Sequence, residues 1–283
     1  MRRFCFALSL SVASPAAAQQ RPPAPNGPPP IEDNSFLVEE AYNQERGVVQ
    51  HVSTFARATR GAGWAYTFTQ EWPVAGLRHQ LSYTLPVSRL DAGDGVGGGR
   101  AGVGDVLLNY RYQIGNGEGE AVAFAPRATV LLPTGASRRG LGTGAAGAQV
   151  NLPLSVVLPA SLVVHSNVGA TYTPRSRNAL GHRADALDYT LGQSVVWLAH
   201  PKLNLLLEAV WTRAQEVVGP GRTERGTEFL LAPGFRGAID FPSGLQVVPG
   251  LAFPIGVGPS RGERGVFVYL SLEHAFTKSA GQP

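Results

Sequence analysis

The residues best equipped for chemistry in this 283-residue chain are scattered charges, six histidines and one glycine-rich run. His51, His79, His165, His182, His200 and His274 lack the spacing that brings ligands around a metal ion, so no metal site is expected. His165 invites comparison with a serine hydrolase. Ser155 and His165 flank the tight Pro159-Ala160 turn, and a nucleophile needs its base within hydrogen-bond reach. Nothing else in the sequence suggests an oxyanion site, so His165 reads as a hydrogen-bonding residue and no catalytic residue is expected. Gly97, Gly99 and Gly102, within residues 93–104, match the GxGxxG pattern. That pattern needs a preceding strand and a following helix to seat a pyrophosphate. Here a strand follows, so the glycines read as a flexible loop and no cofactor is expected.

The remaining candidates share one face of alternating segments. They are Glu71, Arg78, Asp105, Asn109, Arg111, Arg127, His165, Asn167, Asp188, Glu208, Glu228, Arg236 and Glu273, with Gln149, Asn151 and Asp240 beside them. Their neighbours on the other face are apolar. Leu203, Leu205, Leu207, Ala209 and Trp211 alternate with Asn204, Glu208 and Thr212. Phe229, Leu231, Phe235 and Ile239 alternate with Glu228, Arg236 and Asp240. Trp64, Tyr66, Phe68 and Trp72 alternate with Thr67, Thr69 and Glu71. This period of two is the mark of a half-buried strand.

About twelve such segments follow one another, at residues 48–57, 63–72, 77–87, 103–113, 121–132, 148–158, 161–173, 186–198, 202–213, 227–240, 245–255 and 265–276. Most are long enough to cross a bilayer as tilted strands. The connections are short at 73–76, 114–120, 159–160, 199–201 and 241–244. They are long and rich in Gly and Arg at 88–102, 133–147, 174–185, 214–226 and 256–264, and only 58–62 breaks that rhythm. Short inner turns and longer outer loops are the pattern of outer-membrane barrels. The expectation is a closed antiparallel transmembrane β-barrel, with apolar faces toward lipid and charges toward the lumen. Trp72, Tyr112, Tyr172, Trp197 and Trp211 would form interfacial girdles. Lumen charges would tune selectivity if a polar pathway runs there, or pair across strands and fill the space; Glu71 and Arg78 are expected to face each other across a turn.

The ends set the compartment. Arg2 and Arg3 precede a short apolar run, and Ala16-Ala17-Ala18 offers a small-residue cleavage site, so residues 1–18 read as a signal peptide. Residues 19–30 form a Pro-rich spacer, and 31–47 read as a short helix or irregular plug at the periplasmic mouth. The barrel runs from 48 to 276, and 277–283 is a tail. Cys5 is the only cysteine and falls in the leader, so the mature chain carries neither disulfide nor thiolate site. With Arg2 and Arg3 gone, the 24 basic and 20 acidic side chains come close to balance, which leaves no basic face for nucleic acid. Arg138, Arg139, Arg175, Arg177, Arg222, Arg225, Arg261 and Arg264 sit in outer connections. They would meet lipopolysaccharide phosphates or stand solvated. The last strand (VFVYLSLEHAF) resembles the assembly signal that barrel-assembly machinery reads, although Phe276 is not terminal.

Three segments carry a family likeness: residues 34–51 (NSFLVEEAYNQERGVVQH), 104–113 (GDVLLNYRYQ) and 126–135 (PRATVLLPTG). They resemble a family of bacterial outer-membrane proteins named for a MetA pathway of phenol degradation. The first is the most specific, and Arg46 stands where proline is common in that family. The resemblance implies an envelope barrel that transports small hydrophobic or aromatic compounds, and it implies no catalytic residues. The competing expectation is a closed structural or adhesive barrel.

Overall fold

The computed structural model describes residues 35–91, 99–114 and 121–275. The expected leader, Pro-rich spacer and tail, the glycines at 93–98, the turn residues 115–120 and Phe276 lie outside the described residues.

Twelve antiparallel strands make up the wall among the described residues. They are β1 (Val48–Ala58), β2 (Trp64–Pro73), β3 (His79–Leu90), β4 (Arg100–Val103 and Val106–Tyr112), β5 (Val122–Phe124 and Arg127–Leu132) and β6 (Gly147–Leu158). The second half is β7 (Leu162–Arg177), β8 (Arg183–His200), β9 (Leu203–Gly219), β10 (Arg222–Gly237 and Ile239–Asp240), β11 (Gln246–Ala252 and Ile255–Gly256) and β12 (Gly265–Ala275). Each pairs with its sequence neighbour, and β1 pairs with β12 from Val48↔Ala275 to Ala58↔Gly265, which closes the barrel. Closure removes the free edges that an open sheet would expose to lipid.

Four strands are interrupted: β10 at Ala238, and the other three for reasons local to each. In β4 the register against β3 slips by one residue across Gly104–Asp105, a bulge that turns Asp105 toward an outer loop. Pro126 in β5 and Pro254 in β11 supply no backbone N–H to the ladder, yet the pairing resumes in the same register beyond them.

Alternation decides which side each residue takes. In β9, Leu203, Leu205 and Leu207 are exposed, while Asn204, Leu206 and Glu208 are buried. In β12, Val266, Val268 and Leu270 face out, while Phe267, Tyr269, Ser271 and Glu273 face in. The outer surface thus carries a belt of aliphatic side chains, with Trp197 and Tyr172 exposed in it. That is a lipid-facing surface, and the polar face is the lumen.

Two expected outer loops are strand. Residues 174–185 and 214–226 belong mostly to the extended hairpins β7–β8 and β9–β10, paired through Arg183↔Arg177 and Gln215↔Arg225 up to tight turns. In these stretches polar residues stand on both faces, as at Arg175, Ser176 and Arg177, so alternation fades from the sequence while the ladder continues. Gly102 likewise lies on β4, paired with Ser88. One wall of the barrel therefore stands taller than the other. Residues 133–146 and 257–264 remain loops, with short 3-10 turns at Ser137–Arg139 and Gly258–Ser260.

Candidate functional site in the barrel lumen

The lumen is occupied by the chain itself. Residues 35–45 run through its interior as an irregular plug, the second of the two expected forms, and lie deeper than the mouth. Phe36, Val38, Glu39, Glu40, Ala41, Asn43 and Gln44 are all buried. Val38 reaches Gly192, midway along β8. A segment with no helix or sheet must satisfy its backbone elsewhere, and the wall side chains supply the partners.

Those partners come from nearly the whole circumference. The Glu208 carboxylate on β9 accepts from the backbone N–H of Phe36 at 3.0 Å, Leu37 at 3.0 Å and Val38 at 3.2 Å. Asn167 on β7 brackets Glu39, accepting its N–H and donating to its carbonyl, both at 2.7 Å. The Ala41 N–H donates to Ser155 Oγ on β6 at 2.8 Å, and the Asn43 N–H to Gln113 Oε1 at 3.0 Å. Gln44 donates its N–H to Gln80 Oε1 on β3 at 2.6 Å. Its side-chain amide donates to Gln50 on β1 and to Glu273 on β12, the latter at 3.1 Å.

Charge follows the same plan. Glu39 meets Arg111 Nη2 at 2.7 Å and Arg127 Nε at 2.8 Å. Glu40 lies 3.5 Å from His165 Nε2 and 3.6 Å from Arg236 Nη1. The plug therefore brings two carboxylates to three wall arginines. Ions buried this deeply are tolerable only when paired and hydrogen-bonded.

One side of the lumen is apolar. The Phe36 ring packs against Phe267 and Tyr269, with centroids 5.8 and 5.5 Å away. Val52, Val196, Leu206, Ala232, Val248 and Ala252 surround it. The ring lies in a slot left by Gly234 and Gly250: a Cβ on Gly250 would come within 2.5 Å of Phe36 Cε1, and one on Gly234 within 2.7 Å of Cε2. Glycine inside a strand often marks such a close approach.

The sequence-derived candidates divide into three groups. Asn109, Arg111, Arg127, His165, Asn167, Glu208, Arg236 and Glu273 are buried inside the barrel with Glu71, and all but Glu71 and Asn109 contact the plug directly. Glu71 accepts from Gln80 Nε2 rather than facing Arg78, because β3 begins past the turn and leaves Arg78 exposed within it. Asp105, Asp188 and Glu228 sit higher. Asp105 holds the outer loop, accepting from the N–H groups of Gly135 and Thr143 at 2.9 and 2.7 Å, and Asp188 accepts from the Gln215 N–H at 2.7 Å. Asp240 lies at the inner rim, exposed, 3.7 Å from Lys202. Glu39, Glu40 and Gln44 were not among the candidates; adjacent acids in a segment without periodicity give no hint that wall arginines await them.

Ser155 and His165 do come together, with Oγ 2.7 Å from Nδ1. The other ring nitrogen faces Glu40. Ser155 Oγ is buried and already takes the Ala41 N–H, so it serves as a plug anchor.

The family profile described as "Putative MetA-pathway of phenol degradation" matches residues 35–271. The chain belongs to this family. The match includes residues 35–45, so the family's common sequence takes in the plug together with the wall. No curated protein sequence matches the chain significantly. Among solved structures, the COG4313 outer membrane channel from Pseudomonas putida F1 is similar at 14% identity and a TM-score of 0.62, covering 82% of this chain and 96% of that one. A structure titled as the NanC porin aligns at 9% identity and a TM-score of 0.50, over 78% of this chain and 98% of its own. At these identities the likeness establishes a shared outer-membrane barrel fold.

Proposed function

We propose that this family member is a narrow outer-membrane channel for small organic solutes, held shut by residues 35–45. The observation that carries the reading is that the lumen is filled by a separate stretch of main chain. Small barrels close their interiors with side chains from the wall. Here the wall leaves room for an extended segment, whose departure would open a continuous passage lined by Arg111, Arg127, Asn167, Glu208 and Arg236. The apolar pocket around Phe36 gives that passage a surface for hydrophobic or aromatic bodies. The outer arginines would meet lipopolysaccharide phosphates, and the last strand would be read by the assembly machinery.

Planar-bilayer recording tests the reading. The full chain should conduct rarely, and a variant lacking residues 35–45 should conduct steadily. A correctly folded deletion variant with no conductance would leave a closed structural barrel as the answer. Uptake of aromatic compounds by cells with and without the protein tests the solute.

A further inference from the structure

We propose that Arg111 and Arg127 form a binding site for small organic carboxylates, which Glu39 of the plug occupies as a stand-in ligand. The proposal rests on the channel reading and narrows its solutes to those bearing a carboxylate.

The geometry is that of carboxylate recognition. Arg111 Nη2 donates to Glu39 Oε1 at 2.7 Å. Arg127 Nε lies 2.8 Å from Oε1 and 3.1 Å from Oε2. Asn151 Nδ2 donates to Oε2 as well. Both guanidinium groups are almost fully buried, at 2% and 3% exposure. Guanidinium forks match carboxylate oxygens in both spacing and charge.

Arg127 is cradled by the wall, whereas Arg111 Nη1 also donates to the Tyr42 carbonyl of the plug at 2.6 Å. Arg127 Nη1 donates to Asn109 Oδ1 at 2.7 Å and Thr129 Oγ1 at 2.9 Å, and Nη2 donates to Gln149 Oε1 at 3.1 Å. Asn109 is fixed in turn by donating to Ser82 Oγ at 3.1 Å. These groups stand on the neighbouring strands β3 to β6. Arg127 thus points at the same place whether or not Glu39 is there.

The wall gains from a second anion at that place, because its own carboxylate beside both arginines, Glu71, offsets only one of their two charges. Arg111 and Arg127 are direct cross-strand partners, and like charges set opposite each other repel. When the plug withdraws, Glu39 leaves with it. A solute carboxylate restores the balance one for one, so binding the solute and releasing the plug are the same exchange.

Chemical rescue tests the site without any flux measurement. Glu39→Ala removes a group the size of acetate. The full chain in detergent is melted in sodium acetate and in sodium chloride of equal ionic strength. A ligand that binds only the folded state raises Tm by mass action. Acetate should restore most of the Tm that Glu39→Ala loses, and it should do nothing for Glu39→Ala/Arg127→Gln. In the wild type, acetate should speed amide exchange at residues 36–44 while chloride does not. Acetate no better than chloride on Glu39→Ala overturns the proposal. So does rescue of the variant without faster exchange in the wild type, which would make the pair a plug lock only. If Glu39→Ala fails to fold, the wild-type exchange decides alone. Failure of conductance would sink the channel reading and leave these readouts intact.

Discussion

Replacing Glu208 by alanine should loosen the plug more than any other single truncation in the wall. Its carboxylate gathers three consecutive backbone N–H groups, from Phe36, Leu37 and Val38, at 3.0 to 3.2 Å. Hydrogen bonds to a charged group contribute about 1.5–3 kcal/mol each. The three share one acceptor, so they do not add. Breaking a buried charged contact by removing one partner costs about 3–5 kcal/mol, and that is the expected loss in plug seating. At about 1.4 kcal/mol per tenfold, the ratio of seated to withdrawn plug should fall by roughly two to four orders of magnitude. Hydrogen-exchange mass spectrometry on the detergent-folded protein reads this directly. Amides of residues 36–38 should lose protection by that factor, while amides in β9 itself keep theirs. Glu208→Gln keeps one acceptor oxygen and should fall between. Unchanged protection at 36–38 in Glu208→Ala would refute the claim that this carboxylate holds the plug.

The other expectations are simpler to check. Leu207, 51% exposed on the outer face, should cost about 2–4 kcal/mol when changed to Arg near the bilayer midplane; equal unfolding free energies in urea would mean the faces are reversed. Gly250→Ala should unseat the Phe36 ring at about 1–3 kcal/mol of overpacking, and Phe36→Ala in the same chain should relieve it, as measured by thermal melting. A fluorophosphonate probe should leave Ser155 unlabelled in the folded protein, and mass-spectrometric detection of a Ser155 adduct would reopen the hydrolase reading.

The wall was readable because two solvents wrote it. Leu203, Leu205 and Leu207 answer to lipid, and Asn204 and Glu208 to the interior, so a period of two runs through the sequence. Where both faces are polar the signal fails. At Arg175, Ser176 and Arg177 the outward and the inward side chains alike are polar, so the strand reads as loop. The plug was harder still. Its side of each contact is a bare N–H or an adjacent glutamate, and only the three-dimensional closure of the barrel shows that Arg111, Arg127 and Arg236 lie opposite. The local traces are Gly192, which meets Val38, and the pair Gly234 and Gly250 inside strands otherwise rich in large residues. Such a pair signals that something comes close, without saying what. Glu71 and Arg78 stay apart for another reason: β3 begins only at His79, so the turn is longer than residues 73–76 suggest.

The reach of Gln44 bears on how the molecule is made. Its amide touches Gln50 on the first strand and Glu273 on the last, two positions that adjoin only after the cylinder has shut. The plug residues precede the wall in the chain, yet they find their full set of partners only when β12 has arrived. Contacts between such distant parts of a sequence form late and slowly. A half-inserted barrel would therefore be an open one, and the stopper would drop into place as the final act of biogenesis.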